Sequence, residues 1–415
     1  MIRTVLAVSV VALGAAACAT AWQPSYNAVA PVQAQDSYYV KGHNAVAARA
    51  SERGAGHAKN VILFVGDGMG ISTITAARIY AGQTKGLDGE SYQLAMEKLP
   101  YSAFSKTYTH DSQVADSAPT AVAMTTGVKS YNGTLGVTQA ANIKDCASAK
   151  TSGTTSLWEI AEDAGKATGI ISTARITHAT PAATYAETVE RDWESDKDVS
   201  AAGKAAGCTD IASQLVAWQS AHGNGFDVIL GGGRTNFLPN TVADPEYANQ
   251  KGNRVDGHNL VDEWKAGAPN RTAVIDRAGF NAFNWNSDGQ IFGLFEPSHM
   301  QYELDRAKDG KGEPSIAEMT KSAITRLSRN ANGYVLMVEG GRVDHGLHAG
   351  DAQRALGDAA ALDEAIAAAV AATDPKDTLI IVTADHSHVF TIAGYPHRGN
   401  DILGYIQPAL GGEGG

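Results

Sequence analysis

The chain has 415 residues, 44% of them hydrophobic, and a formal net charge of −11 at pH 7. This length and apolar content suffice for one large α/β domain or two ordinary ones, and they exclude a chain that is disordered throughout. Because no block of Lys or Arg offsets the negative charge, a nucleic-acid backbone is excluded as the main partner and no nucleic-acid-binding domain is expected. Small anionic substrates remain compatible with this charge where a bound cation reverses the local sign.

Residues 1–21 have the pattern of an export signal. Arg3 precedes an apolar stretch that ends at Ala17, and this stretch is too short to cross a bilayer as a helix of the mature protein. We therefore expect an exported protein, periplasmic or extracellular. Cleavage after an Ala-rich site is one outcome, and lipidation of Cys18 with a membrane anchor is the other, although the residue three before it is Ala15 rather than Leu.

Two cysteines remain if Cys18 is removed or modified. Cys146 and Cys208 form an even pair in an oxidising compartment, which favours a disulfide between them. Two buried free thiols are the alternative.

The remainder divides into an arm and one folded domain. Residues 22–57 lack sustained periodicity, and we interpret them as an N-terminal arm. The folded domain is predicted to occupy residues 58–415. Within it, continuous apolar runs predict strands buried on both faces, at 61–65, 167–174, 226–233, 333–341 and 377–388. Apolar residues recurring at three and four positions predict helices at 155–165, 209–221, 317–330 and 350–372. This alternation predicts an α/β fold with a mostly parallel central sheet and helices on both faces.

Polar side chains directly follow four of the five predicted strands, where ligands of such sheets gather. These side chains are Asp67, then Arg175, His178 and Thr180, then Glu339, and finally Asp385, His386 and His388.

The run at 338–351, "VEGGRVDHGLHAGD", is the densest of these segments. Asp344 and His348 are four apart and would share one face of a helix, where carboxylate oxygen and imidazole nitrogen could bind zinc. The alternative is helix capping, since acidic groups are favoured early in a helix. For Glu339 the alternative is a solvated carboxylate at a strand end. His345 is interpreted as a surface imidazole.

Two further segments have competing interpretations. Asp67 lies in "GDGMG", where it is either a site carboxylate or ordinary turn chemistry. Asp385 and His386 are adjacent, so both can reach one ion only if the strand has already ended. His388 is interpreted as a group behind the ligands.

The segment "ADSAPTAVAMTTG" predicts a helix that begins near Ser117. Its plain interpretation is an N-cap at Asp116 or Ser117. A helix start also stabilises anions, so Ser117 could act as an alkoxide beside a metal. Arg191 offers a planar fork suited to phosphate oxygens, with a surface ion pair as the alternative.

Taken in order, these segments resemble the alkaline phosphatases. The resemblance extends from about Lys59 to Gly404, nearly all of the mature chain. It rests on "VILFVGDGMG", "DSAPTAVAMTTGVKSYNGTLG", "STARITHATPAATYAETVERDW", "DVILGGGR", "VEGGRVDHGLHAGD" and "TADHSHVFTIAGYPHRGN".

The resemblance implies two zinc ions and one magnesium ion. Ser117 would be the phosphorylated nucleophile, and Arg191 would bind the phosphoryl oxygens. Asp385 and His386 would complete the zinc next to the nucleophile. Asp67 would bridge this zinc and the magnesium.

The other implied ligands come from three segments. Asp344 and His348 would hold the second zinc, and Thr180 with Glu339 would complete the magnesium site. His178 stands where another branch of the family carries Asp, so the chain resembles the His-bearing branch, in which this residue lies close to the magnesium through water.

Two more features resemble that branch. Cys146 and Cys208 match positions that are bridged in it. Phe295 and Glu296, in "GLFEP", resemble part of its calcium site, and a purely structural loop is the alternative.

The implied activity is metal-dependent hydrolysis of phosphate monoesters through a phosphoserine, in a protein expected to be a homodimer. A phosphodiesterase or sulfatase of the same superfamily is one alternative. An exported, non-catalytic phosphate- or metal-binding protein is the other. The natural substrate and the pH optimum are not predicted.

One element of the family's pattern is absent from the sequence. The last His, which completes the zinc of Asp344 and His348, should lie well downstream of the Asp385-His386 pair. His397, in "GYPHRGN", falls in a different loop. We therefore expect a C-terminally incomplete form of a longer chain.

Overall fold

A seven-stranded parallel sheet forms the centre of the part of the chain that the computed structural model describes, residues 32–50 and 57–407. The strands are β1 (Asn60–Gly66), β2 (Ala167–Arg175), β3 (Val228–Gly232), β4 (Arg271–Val274), β5 (Gln290–Leu294), β6 (Tyr334–Gly340) and β7 (Thr378–Ala384). Their order is β4-β5-β3-β2-β6-β1-β7, and all six neighbouring pairs are parallel. The predicted α/β fold is confirmed. The predicted export signal, with Cys18, lies outside the described residues.

Helices connect these strands. The α-helices of the described ranges are α1 (Ser37–Ala50), α2 (Ile71–Gln83), α3 (Ser117–Thr126), α4 (Cys146–Ala149), α5 (Leu157–Asp163), α6 (Ala179–Ala182), α7 (Ala201–Ala205), α8 (Ile211–Ala221), α9 (Leu260–Ala266), α10 (Arg277–Ala282), α11 (Glu303–Arg306), α12 (Ile316–Leu327), α13 (Arg342–His348) and α14 (Ala352–Ala372). Short 3-10 helices lie at Val32–Gln35, Met96–Lys98 and Arg234–Phe237. Within these same ranges, no helix has both the length and the apolar character that a bilayer span requires.

The sheet separates two apolar cores because successive side chains of a strand point to opposite faces. On β1, Ile62 and Phe64 pack with α2, α12 and α14, whereas Leu63 and Val65 pack with α3, α5 and α8. All four side chains are buried. Burial on both faces explains why the central strands are continuous apolar runs rather than alternating ones.

Two strands and one helix differ from the sequence-based expectation. β4 has four residues and is half-exposed, and β5 begins with Gln290 and contains Gly293, so neither is a long apolar run.

The unpredicted helix is α1, which lies in the predicted arm. Asp36 Oδ1 accepts hydrogen bonds from Tyr38 N and Tyr39 N and thereby caps α1. This local cap leaves no periodic apolar signature.

The chain breaks its helix between α13 and α14. Gly350 has φ +67°, a conformation that favours glycine, and Asp351 caps α14 by accepting a hydrogen bond from Arg354 N at 3.1 Å. The break lets α13 remain a short helix over the sheet edge, with Asp344 and His348 one turn apart.

A disulfide joins Cys146, at the start of α4, to Cys208, just after α7, with 5.7 Å between the Cα atoms. The bridge closes 62 residues of chain. Replacing both cysteines with serine should therefore lower the free energy of unfolding by about 4 kcal/mol through the entropy of the unfolded chain. Denaturant unfolding of the double variant measures this. Unfolding of the wild type with and without a reductant is the control, and an unchanged midpoint in both experiments would contradict the expectation.

Candidate active site

The carboxyl ends of four adjacent strands, β2, β6, β1 and β7, carry the predicted site residues. In register, Gly66 of β1 lies between Gly340 of β6 and Ala384 of β7, so these strands end at the same level. Asp67 and Asp385 are the residues that follow β1 and β7, and Glu339 lies at the end of β6. Parallel pairing therefore brings together carboxylates that are far apart in the sequence.

Ser117 is the first residue of α3 and lies against two of these groups. Asp116 is the N-cap, and its side chain accepts a hydrogen bond from Ala118 N at 2.6 Å. The Ser117 hydroxyl lies 3.1 Å from Asp67 Oδ1 and 3.2 Å from His386 Nε2. The helix start places backbone N–H groups and the positive end of the helix dipole beside this hydroxyl.

The carboxylates beneath Ser117 are buried and mutually repulsive. Burial, and then the charge of Asp385, raise the pKa of Asp67. Gly68 N and His386 N donate hydrogen bonds to Asp385 Oδ1 at 3.0 Å and 2.8 Å. Burial opposes the charge of His386, but the two neighbouring carboxylates prevail and raise its pKa to about 10. The strand β7 ends at Ala384, so the alternation of a strand does not apply to Asp385 and His386. Both side chains can therefore face the cleft, which was the condition for their binding one ion.

A second group of possible ligands contains Asp67, His178 and Glu339, whose ligand atoms lie within 4.8 Å of one another. Burial raises the pKa of Glu339 to about 7, although the hydroxyls of Ser172 and Thr180 lower it. Glu339 Oε1 and His178 Nδ1 are buried without a hydrogen-bond partner among the described residues. Buried atoms of this kind are costly unless another group binds them, and the free carboxylate oxygen of Glu339 fits a cation.

A third group contains Asp344, His348 and His388, again within 4.8 Å. His348 Nε2 lies 3.4 Å from Asp344 Oδ2, and His388 Nε2 lies 3.5 Å from Asp344 Oδ1. Burial raises the pKa of Asp344. His388 therefore faces the same point as the other two side chains, a placement that fits a ligand and also fits the predicted group behind the ligands.

Arg191 borders the cleft on the side of α3. Its Nη1 donates to Asp116 Oδ1 at 3.1 Å, and its Nη2 lies 3.1 Å from His178 Nε2. Burial, and then the Arg191 charge, lower the pKa of His178, so the imidazole is neutral and can accept this hydrogen bond through Nε2. Asp116, which directly precedes Ser117, and His178 thus hold the Arg191 guanidinium from two sides.

One prediction about the surroundings of the site is wrong, and two acidic residues elsewhere were missed. His345 is half-buried against His299, with ring centroids 4.1 Å apart, so the prediction of a surface imidazole is wrong. A cluster of Glu246, Glu296 and Asp309 lies outside the catalytic cleft. The sequence singled out Glu296 alone, because the other two acidic residues stand in ordinary polar loops.

The sequence model of one protein family, described as alkaline phosphatase, matches residues 58–411. The chain belongs to the alkaline phosphatase family. It is 46% identical over 358 residues to the tissue-nonspecific alkaline phosphatase of Felis catus, an alignment that covers 83% of this chain and 66% of the relative. The chain thus spans about two thirds of the length of this relative.

Solved alkaline phosphatases share the fold. The enzyme of Thermus thermophilus aligns with a TM-score of 0.63 and 29% identity, over 82% of this chain and 63% of that chain. A mutant of the TAB5 alkaline phosphatase with Mg bound in its M3 site aligns with a TM-score of 0.60 and 24% identity, over 81% of this chain and 80% of that chain. At that identity the second likeness concerns the fold alone.

Proposed function

We propose that this chain hydrolyses phosphate monoesters to an alcohol and inorganic phosphate, with Ser117 as the nucleophile. One observation carries the proposal: the Ser117 hydroxyl stands at a helix start, 3.1 Å from Asp67 and 3.2 Å from His386. A hydroxyl held there by a carboxylate and an imidazole is suited to attack an anionic phosphorus centre. Membership of the alkaline phosphatase family supports the same chemistry.

The proposed reaction has two steps, in which Ser117, Arg191 and Asp67 have different roles. Ser117 Oγ attacks phosphorus, the bond to the ester oxygen breaks, and the alcohol leaves with a phosphoserine behind it. Water then attacks the phosphoserine, and inorganic phosphate leaves as the hydroxyl is restored. Arg191 binds the phosphoryl oxygens in both steps, because phosphoryl transfer depends on positioning and charge neutralisation. Asp67 Oδ1 accepts the hydrogen bond that orients the hydroxyl.

Three groups of side chains around Ser117 are proposed to bind divalent cations: two zinc ions and one magnesium ion. We assign the zinc next to Ser117 to Asp67, Asp385 and His386. We assign the second zinc to Asp344 and His348, with His388 as a third ligand. Bound divalent cations would supply Lewis acidity, which lowers the pKa of a hydroxyl or water and offsets the charge of a departing alkoxide.

The magnesium site is assigned to Asp67, Thr180 and Glu339, with His178 beside it. The unpartnered Glu339 Oε1 supports this assignment, since Mg²⁺ prefers oxygen ligands. His178 is neutral and accepts from Arg191 through Nε2, so its Nδ1 carries the ring proton and would donate to a water bound to the ion.

Purified protein with Zn²⁺ and Mg²⁺ tests the activity directly. We expect turnover of phenyl phosphate and much slower turnover of diphenyl phosphate, since the diester lacks one of the phosphoryl oxygens that Arg191 binds. Faster diester or sulfate-ester turnover would favour the phosphodiesterase or sulfatase alternative. Metal and phosphate binding without turnover would favour the non-catalytic alternative.

The cluster of Glu246, Glu296 and Asp309 is proposed to bind Ca²⁺. Both oxygens of Asp309 and Glu246 Oε1 are buried without a hydrogen-bond partner among the described residues, and burial raises the pKa of Glu246 to about 7. Carboxylate oxygens are the ligands that Ca²⁺ prefers, and Glu296 adds a third carboxylate whose Oε1 accepts from Tyr247 and Gln301. Phe295, which resembles part of such a site in sequence, precedes Glu296 and packs its ring in the core.

Calcium should therefore stabilise the protein. When free Ca²⁺ exceeds its Kd a hundredfold, the free energy of unfolding should rise by about 2.7 kcal/mol. Glu296→Gln should abolish this gain, because it removes a charged ligand. Glu263→Gln is the matched control, since Glu263 is a surface carboxylate paired with His258. Thermal melting with Ca²⁺ and with a chelator measures the effect, and an equal gain in wild type and Glu296→Gln would refute the site.

Export and homodimerisation are also proposed, with either cleavage of the signal or lipidation of Cys18 at the N-terminus. The Cys146–Cys208 disulfide supports an oxidising compartment. Mass spectrometry of the mature N-terminus would separate cleavage from lipidation.

A further inference from the structure

A cluster of basic and imidazole side chains borders the cleft beyond Arg191. Its members are Arg175, His178, Arg191, His299, Arg342 and His345. The proposed hydrolysis uses only Arg191 and His178. The other four come from β2, from the loop after β5 and from α13, so the fold brings them together from three separate segments.

Arg175 and His299 make a contact that cannot be fully satisfied by the protein. The backbone N of Arg175 donates to His299 Nδ1 at 3.2 Å, and its Nη1 approaches His299 Nε2. An imidazole ring has at most one acceptor nitrogen, and the contact from the Arg175 backbone N already uses it. The other partner of Nη1 is Ser298 Oγ, at a long 3.4 Å. One donor of Arg175 therefore lacks a good acceptor.

Arg342 also has donor capacity to spare. Its Nη1 lies 3.1 Å from His345 Nδ1, and its guanidinium carbon stacks 3.6 Å from the centroid of the Tyr302 ring. Its Nε is buried without a hydrogen-bond partner among the described residues. Asp358 and Glu313 act on Arg342 only over distance, and within 32–50 and 57–407 it has no ion pair shorter than 4 Å.

The charge of this region favours an anion. Glu194 pairs with Arg175 through Nε and Nη2 and is the carboxylate that faces the cluster from the loop after α6. Arg175 and Arg191 are each paired with one carboxylate, Glu194 and Asp116, whereas Arg342 has no direct carboxylate partner in the described part of the chain and is acted on by Asp358 and Glu313 only over distance. All of the cluster is at least partly shielded from water, where an unbalanced positive charge attracts an anion most strongly.

The cluster lies one imidazole ring beyond Arg191. His178 contacts Arg191 at 3.1 Å, and its ring centroid is 5.5 Å from those of both His299 and His345. A second anionic group bound there cannot be joined directly to the phosphoryl group at Arg191. A short linker of a few bonds is needed to pass the His178 ring.

We propose that Arg175, His299 and Arg342 form a second anion subsite for phosphate monoesters whose alcohol carries a second phosphate a few bonds away. The inference rests on the proposed hydrolysis at Ser117 and names a substrate class for it. The second phosphate accepts from Arg175 Nη1 and from Arg342, and so satisfies the donors that the protein leaves unpaired.

Propyl phosphate and propane-1,3-diol bisphosphate are a matched pair of substrates that differ in the second phosphate. We expect wild type to prefer the bisphosphate in kcat/KM. Arg342→Gln and His299→Ala should each lower kcat/KM for the bisphosphate about tenfold, a loss of about 1.4 kcal/mol, through KM. Their kcat/KM for propyl phosphate should change less than about twofold. Calorimetric titration with propane-1,3-diphosphonate, which is not hydrolysed, gives the same comparison without turnover.

Arg354→Gln is the matched control, since Arg354 also contacts the Tyr302 ring but pairs with Asp305. It should leave both substrates unchanged. Equal losses for both substrates in the Arg342 and His299 variants, or no loss for either, would overturn the subsite while hydrolysis stands. Absence of turnover of propyl phosphate by wild type would instead refute the proposed function, and the diphosphonate titration would still decide on the subsite.

Discussion

Ser117→Ala is expected to lower kcat/KM for phenyl phosphate by at least about a thousandfold. The substitution removes the only atom that can form the phosphoserine, whereas the carboxylates beneath it and Arg191 remain in place. Stopped assays with purified wild type and variant, both loaded with Zn²⁺ and Mg²⁺, measure the loss. Mass spectrometry of acid-quenched wild type should find a phosphate on the peptide that contains Ser117.

Ser130→Ala is the matched control for this substitution. Ser130 is a fully buried serine shortly after α3, and its hydroxyl has no hydrogen-bond partner among the described residues. Its variant should retain wild-type turnover. Hydrolysis that continues at the wild-type rate in Ser117→Ala would eliminate this residue as the nucleophile and, with it, the proposed mechanism.

Removing the metals is expected to destabilise the protein, and increasingly so as the pH rises. Each cation present at a thousandfold excess over its Kd contributes about 4 kcal/mol to the free energy of unfolding. Without metal, the raised pKa of Glu339, about 7 against an ordinary 4.5, means that folding favours the protonated carboxyl. Stability of the metal-free protein therefore falls as the pH rises from about 4.5 to about 7, by on the order of 3 kcal/mol from this group.

Thermal melting with metals and with a chelator, between pH 5 and pH 8, measures this difference. The gap between the two melting temperatures should widen with pH, and Glu339→Gln should narrow it at pH 8 because the amide carries no charge. Glu162→Gln is the matched control. Glu162 is a buried carboxyl whose pKa is raised to about 8 and which accepts from Thr168 at 2.6 Å, so its variant should shift both curves alike. A gap independent of pH in wild type would contradict the metal assignment.

Local chemistry made much of the candidate site readable in the sequence. The apolar runs that became β1, β2, β6 and β7 identify strands buried on both faces, and the polar residues after them identify the functional edge of the sheet. The spacing of Asp344 and His348 predicted a shared helix face, and "DSAPT" predicted a helix start capped by Asp116 or Ser117, of which the structure has Asp116. Each of these signals depends on residues within one turn or one strand of each other.

Longer-range features were not readable in this way. The contact between His388 and Asp344 depends on how the loop after β7 folds back toward α13. The burial of His345 depends on its contact with His299, which lies 46 residues earlier in the chain. Glu246 and Asp309 join Glu296 only because two loops meet above β5. No short-range sequence pattern predicts such long-range contacts.

The sequence by itself determined five of the seven strands, the capped start of α3 and the types of ligand that the site could offer. Only the tertiary structure decided which carboxylates and imidazoles share a point in space, and therefore which of them are buried and shifted in pKa. The physical reason is that strand order and loop packing join segments hundreds of residues apart, as when Gly66 pairs with both Gly340 and Ala384. Periodicity and capping act over a few residues and cannot specify those neighbours.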